Sequence, residues 1–173
     1  MRTLLKEYFS TTWLERDRSL DQYTYTGWAL LDKIGPHENV LDVGCGTNPF
    51  KPYLGDRVYG IDITDVGADE VVAIEDFYTT NKFDVAFCLG SINFGNQDTI
   101  NNQLDKIDKC LNSGRIYWRC NPGRYDHGND HFNNIDVFDW DEGKLYMFAD
   151  MYGYEVADMQ KDGNRIYSEW IKI

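Results

Sequence analysis

Hydrophobic positions change their spacing several times along the chain, and each change predicts a different element. Leu4, Leu5, Tyr8 and Phe9 recur one helical turn apart, and a second apolar stretch, from Trp28 to Ile34, is stopped by Gly35-Pro36. Residues 1–34 are therefore predicted to form a helical lead-in. From Asn39 the spacing tightens. Asn39 to Val43 is a short apolar run ending on Gly44-Cys45-Gly46, the pattern of a buried strand feeding a tight turn. Arg57 to Asp62, Glu70 to Ile74, Phe83 to Leu89 and Arg115 to Cys120 repeat it, so five core strands are expected.

Helical spacing returns between the fourth and fifth strands. Ile100, Leu104, Ile107 and Leu111 share one face, and Gly114 is expected to end that helix. Leu145, Phe148 and Tyr152 predict another helix between Trp140 and Tyr152. Strands alternating with helices imply a parallel sheet with right-handed crossovers, covered on both faces. The end of the chain differs: Tyr154 to Met159 and Arg165 to Ile173 are strand-like and joined by Lys161-Asp162-Gly163-Asn164, which favours an antiparallel hairpin. With 173 residues and no visible linker or repeat, a single domain is expected, 1–35 as lead-in and 36–173 as core.

Composition narrows the function. The chain is 42% hydrophobic and 27% charged, as in ordinary globular proteins. Seventeen Lys and Arg against twenty-nine Asp and Glu leave a formal charge of −12, which removes the diffuse positive field that nucleic acid or an anionic membrane attracts. The longest apolar runs, such as Val71 to Ile74, fall far short of the roughly 20 residues that span a bilayer. Charge arrives too early in Met1-Arg-Thr-Leu-Leu-Lys-Glu for a secretory signal. Cys45, Cys88, Cys110 and Cys120 are scattered, which indicates neither a zinc site nor a disulfide framework. A cytoplasmic location is the expectation.

The candidate chemistry lies in Val40-Leu-Asp-Val-Gly-Cys-Gly-Thr-Asn-Pro-Phe50. Glycines after a first strand let the backbone approach a ligand that a Cβ would exclude. Asp62 closes the next strand 18 residues after Gly44, where a carboxylate can accept both hydroxyl protons of a ribose. An adenosine-type ligand follows. Two departures argue against a dinucleotide: Pro49 stands where a third glycine would fall, and Asp42 would repel a pyrophosphate yet suits a ligand bearing an ammonium group. The structural alternative is that Gly44 and Gly46 merely make a turn and Asp42 caps the following helix.

Val40-Leu-Asp-Val-Gly-Cys-Gly-Thr47 and Val58-Tyr-Gly-Ile-Asp62 resemble the first two motifs of class I S-adenosylmethionine-dependent methyltransferases. Phe83 to Ser91 is similar to the family's fourth-strand motif, Gly114 to Pro122 to its fifth strand, and the terminal hairpin to its sixth and seventh strands. The resemblance spans residues 25–173. It implies a three-layer Rossmann-like α/β sandwich: a seven-stranded, mostly parallel sheet with an antiparallel C-terminal hairpin. It also implies S-adenosylmethionine as cofactor and S-adenosylhomocysteine as product. Carried over, it sets the methionine portion against Asp42, Gly44, Cys45 and Gly46, the ribose on Asp62, and Ile63 beside the adenine. Glu75 and Asp76 fall near the adenine amino group, and Leu89, Gly90 and Ser91 line the floor beneath the sulfonium. Tyr23, Tyr25 and Trp28 are candidates to cover the cofactor, or plain core.

Methyl transfer asks mainly for alignment of nucleophile and methyl carbon. A weakly acidic hydroxyl or protonated amine also needs a general base, and His127 and His131, in the polar loop 121–134, are the candidates. An Asn/Asp-Pro-Pro-Tyr motif, as in adenine and glutamine N-methyltransferases, is absent after the fourth strand, where Leu89-Gly-Ser-Ile-Asn93 stands. Cys88 and Cys120 sit roughly where RNA cytosine methyltransferases carry cysteines, but Phe87 replaces the expected proline, which favours buried structural thiols. No metal is expected. The expected acceptor is a small molecule methylated on oxygen or nitrogen. A protein or nucleic-acid acceptor, a non-catalytic cofactor-binding protein and an NAD-dependent oxidoreductase are the alternatives.

Overall fold

The computed structural model describes residues 1–15, 19–122 and 135–173. Its strands are β1 (Val40–Val43), β2 (Val58–Asp62), β3 (Glu70–Val71), β4 (Phe83–Leu89), β5 (Leu111–Cys120), β6 (Tyr154–Asp162) and β7 (Arg165–Lys172). They form one seven-stranded sheet in the order β3-β2-β1-β4-β5-β7-β6. Every pair from β3 to β5 is parallel, and β7 lies antiparallel between β5 and β6. The chain therefore starts in the middle of the sheet, runs to one edge, then crosses β1 to build the other half. That reversal between β1 and β4 opens a crevice at the strand tips, where ligands of open α/β sheets bind.

Period-two alternation sends successive side chains to opposite faces. Ala86, Cys88, Ile116 and Trp118 join a core beneath α3 (Gln97–Cys110) and α4 (Glu142–Met151), which bring Ile100, Leu104, Leu145 and Phe148. Val85, Phe87, Tyr117 and Tyr167 face the other way and pack on Leu30, Phe50 and Leu54. This second layer is thinner than a Rossmann pattern suggests: after the glycine loop, α2 (Lys51–Leu54) is a single turn. Among the described residues, α1 (Arg2–Ser10) is the remaining α-helix.

Four expected boundaries shift. Trp28 to Lys33 lies in a 3-10 helix, Gly27–Lys33, with Ile34 extended just beyond it; the buried Gly27 and Leu30 are three residues apart, the repeat of that tighter helix. The third strand is only Glu70–Val71, at the sheet edge, and Ile74–Asp76 turns as 3-10. Leu111 leaves the helix to open β5 opposite Phe83. Gly114 is accordingly a strand residue, required because a Cβ there would stand 2.1 Å from the Asp84 carbonyl oxygen. The hairpin is tighter than expected: Asp162 pairs with Arg165, leaving Gly163, at φ +67°, and Asn164 as a two-residue loop.

Candidate active site

The glycine loop is tied down on two sides. The Gly44 and Cys45 amides both donate to the Ile61 carbonyl of β2, at 2.8 and 3.1 Å. The Ser91 hydroxyl, after β4, donates to the Val43 carbonyl. Gly44 has φ +74° and a Cβ on it would lie 2.2 Å from the Ser91 Cβ; Gly46 has φ +56° and its Cβ would lie 2.5 Å from the Trp13 ring. Both positions demand glycine on conformation and on space.

Asp62 closes the loop from the neighbouring strand tip. Its Oδ2 accepts from the Gly46 amide at 2.9 Å, and its Oδ1 accepts from the Thr64 amide and hydroxyl at 2.8 and 2.7 Å. A carboxylate offers about four accepting positions, so Oδ2 keeps one, and a turn of the Thr64 hydroxyl frees another. Asp42 is buried within β1. Burial first, and then the charge of Asp62, push its carboxyl up to about 7, against the opposing pull of Arg119.

Two adjoining cavities open here. The first, about 250 Å³, is lined by Asp62, Ile63, Glu75, Gly90, Ser91 and Arg165 among others. The second, about 390 Å³, is lined by Asp42, Cys45, Thr47 and Phe50 among others. Trp13, Tyr23, Gly44, Leu89 and Arg119 border both. Leu5, Tyr8 and Phe94 form a small core with Phe9 and Trp13 that seats α1 over the first cavity. At its far end Glu75 Oε1 accepts from Gln103 Nε2 at 2.9 Å.

The structure brings Asp42, Gly44, Cys45, Gly46, Asp62, Ile63, Glu75, Leu89, Gly90 and Ser91 to these cavities. Asp76 stands outside them, its exposed carboxylate 2.5 Å from Arg2 Nη1, because the 3-10 turn Ile74–Asp76 points consecutive side chains in different directions. His127 and His131 lie outside the described residues. Tyr25 and Trp28 line neither cavity: Tyr25 stacks on Tyr167 at 5.4 Å, and Trp28 packs against Phe50 and Tyr53. Cys88 and Cys120 are buried in the core, and burial raises both thiols.

Sequence reasoning missed Trp13, Thr64, Arg119 and Arg165. Arg119 Nη2 donates to the Leu89 carbonyl at 2.8 Å, and its guanidinium lies 4.0 Å from the centre of the Tyr23 ring. Arg119 Nη1 is buried and has no hydrogen-bond partner among the described residues. Its place at a strand tip, on the face shared with Arg115 and Tyr117, was the one readable signal. Trp13 offers none, since it lies in a turn beyond α1.

No protein-family model matches the chain, and no curated protein matches it significantly in sequence. Solved structures do match. The 1,6-didemethyltoxoflavin-N1-methyltransferase of Burkholderia thailandensis, with S-adenosylhomocysteine bound, superimposes with a TM-score of 0.74 at 16% identity, over 99% of this chain and 86% of that one. Magnesium protoporphyrin IX methyltransferase of Synechocystis gives 0.73 at 14% identity, over 99% of each chain. A Thermotoga maritima methyltransferase, described as a possible histamine N-methyltransferase, gives 0.73 at 14% identity over the full length of both. The fold is that of the class I S-adenosylmethionine-dependent methyltransferases.

Proposed function

We propose that the protein is an S-adenosylmethionine-dependent methyltransferase that modifies oxygen or nitrogen of a small molecule. The observation that carries this reading is the joining of Asp62 to the Gly44–Gly46 loop at adjacent strand tips, beside the buried carboxylate of Asp42. The residues fit such a cofactor: a Cβ at Gly44 or Gly46 would intrude on Ser91 or Trp13, Asp62 retains accepting capacity for a ribose, and Asp42, pushed up to about 7, offers a negative charge to a cationic ligand once it ionises.

S-adenosylmethionine supplies the electrophilic methyl group, carried on a sulfonium. The chain's own part is to bind and to orient. Gly44 and Gly46 hold the backbone open, Leu89, Gly90 and Ser91 form the floor, and Ile63 with Glu75 lines the end toward β3. Trp13 and Tyr23 exclude water from above. Where an acceptor must lose a proton, His127 or His131 takes it. That solved structures of this fold belong to enzymes with unlike small acceptors supports the small-molecule reading. The test is release of S-adenosylhomocysteine from methyl-labelled S-adenosylmethionine across a panel of small phenols, carboxylates and amines. Turnover of a panel member supports the reading; methylation confined to protein or RNA contradicts it.

A further inference from the structure

The chain carries a net charge of −12, yet three arginines border its first cavity: Arg2, which pairs with Glu75 and Asp76, and at the other end Arg119 and Arg165. Arg119 is the penultimate residue of β5 and Arg165 opens β7, and these strands are hydrogen-bonded neighbours, with Arg119 opposite Tyr167 and Cys120 opposite Ile166. Both side chains therefore project from the same sheet face near the same tips.

The strand order sets their place. Asp62 and Glu75 follow or end the strands on the β2-β3 side, the glycine loop follows β1, and the floor residues follow β4. The arginines stand beyond that floor, over β5 and β7, on the side away from the nucleoside end. We propose that Arg119 and Arg165 form an anion subsite for the methyl acceptor, which carries a carboxylate or an equivalent planar anionic group. This inference rests on the cofactor reading, because it takes the cavity beyond Ser91 to be the acceptor's.

Four observations support it. Arg119 forms no ion pair among the described residues, and its buried Nη1 is left with a donor to place. The Tyr23 ring covers one guanidinium face at 4.0 Å and leaves the edge for a planar partner. Of the acidic groups that act on Arg119, Asp162 is spent on Thr24, Tyr25 and Thr26, and Asp42 lines the second cavity beside Arg119 without forming an ion pair with it. Burial lowers the pKa of both arginines, and for Arg119 the charge of Arg165 lowers it further, against Tyr23, Asp42 and Asp162. An anion at the open edge of Arg119 stabilises a guanidinium held out of water beside a second cation. Tyr8, Phe9 and Phe94 line the same cavity, so the anion sits on an apolar or aromatic body.

The probe is benzoate, titrated calorimetrically against the protein with and without saturating S-adenosylhomocysteine, with benzamide as the neutral match. Saturable benzoate binding is expected, at least about tenfold tighter than benzamide. It should weaken by about tenfold in Arg165→Gln and in Arg119→Gln, and recover in part in Arg119→Lys. Equal binding of benzoate and benzamide, or benzoate binding unchanged in both Gln variants, overturns the subsite. A carboxylate also exists on the cofactor's own amino-acid tail. If Arg119→Gln weakens S-adenosylhomocysteine but not 5′-methylthioadenosine, which lacks that tail, and leaves benzoate unaffected, Arg119 serves the cofactor and the proposal fails. Failure of the cofactor reading shows separately, as no heat from S-adenosylhomocysteine.

Discussion

Asp62 and Gly46 are joined directly: the carboxylate Oδ2 accepts the glycine amide at 2.9 Å, linking the tip of β2 to the loop that follows β1. The same carboxylate thus shapes the cradle and faces the cavity. Asp62→Ala removes both roles. S-adenosylhomocysteine affinity should fall by about tenfold to a hundredfold, since hydrogen bonds to a charged group contribute about 1.5–3 kcal/mol each. Equilibrium dialysis of labelled ligand reads it, and an affinity within twofold of the wild type would remove Asp62 from the binding site.

Gly44→Ala places a methyl 2.2 Å from the Ser91 Cβ at φ +74°, and Gly46→Ala places one 2.5 Å from Trp13 at φ +56°. A left-handed non-glycine residue costs about 1–2 kcal/mol before any clash. Each variant should melt about 4 °C or more below the wild type and bind S-adenosylhomocysteine more weakly. Differential scanning fluorimetry with and without the ligand checks both effects.

The buried Asp42 carboxyl, pushed up to about 7, makes a signed pH prediction. Its folded pKa lies above the unfolded value near 4, so the folded state holds an extra proton between the two. The contribution of this group to stability is complete below about pH 4 and is lost as pH rises toward 7. Affinity for a cationic ligand moves oppositely, rising as Asp42 ionises. Asp42→Asn should flatten the rise in S-adenosylmethionine affinity between pH 6 and 8, measured by calorimetry at each pH. An unchanged profile would assign that pH dependence to another group.

Asp162 is fully buried, and its two oxygens accept the Thr24, Tyr25 and Thr26 amides and the Thr26 hydroxyl, at 2.6–3.2 Å. It clamps the segment after Tyr23 to the terminal hairpin. Asp162→Ala leaves buried donors unpaired at about 1–3 kcal/mol each, so a loss of roughly 3–5 kcal/mol is expected in urea unfolding. A change below about 1 kcal/mol would mean that the segment finds other acceptors.

His127 and His131 carry the proposed proton transfer. Replacing both by Ala should lower kcat about 10²–10⁴-fold for a hydroxyl or amine acceptor, and leave S-adenosylhomocysteine affinity unchanged. Unaltered turnover would reject the role.

The centre of the sheet was legible because β1, β2 and β4 are short, mostly apolar runs bounded by turn residues, and because the period changes at Asn39 and again after Leu89; the edge strand β3 and the polar start of β5 were not. The glycine loop and Asp62 were legible because both are backbone requirements: a left-handed turn and a carboxylate at the next strand tip. The lid was not. Leu5, Tyr8 and Phe9 read as one apolar helix face, but nothing in their spacing says that this face covers a cavity rather than the sheet. Tyr25 and Trp28 read equally as cover or as core, and the Asp162 clamp turns that stretch into the core, against Tyr167 and Phe50. Asp76 was paired with Glu75 by adjacency, and a 3-10 turn separates them. Arg119 and Arg165 meet only through the β5–β7 pairing, a contact between positions 46 residues apart that no local pattern encodes.

The central claim is that this cradle holds the nucleoside and cationic tail of S-adenosylmethionine. Isothermal titration of the protein with S-adenosylhomocysteine, with NADH in a parallel cell, tests it most directly. One-to-one binding of S-adenosylhomocysteine at micromolar affinity, with no saturable heat from NADH, is the predicted result. Saturable NADH binding, or no heat from S-adenosylhomocysteine at millimolar concentration, would contradict it.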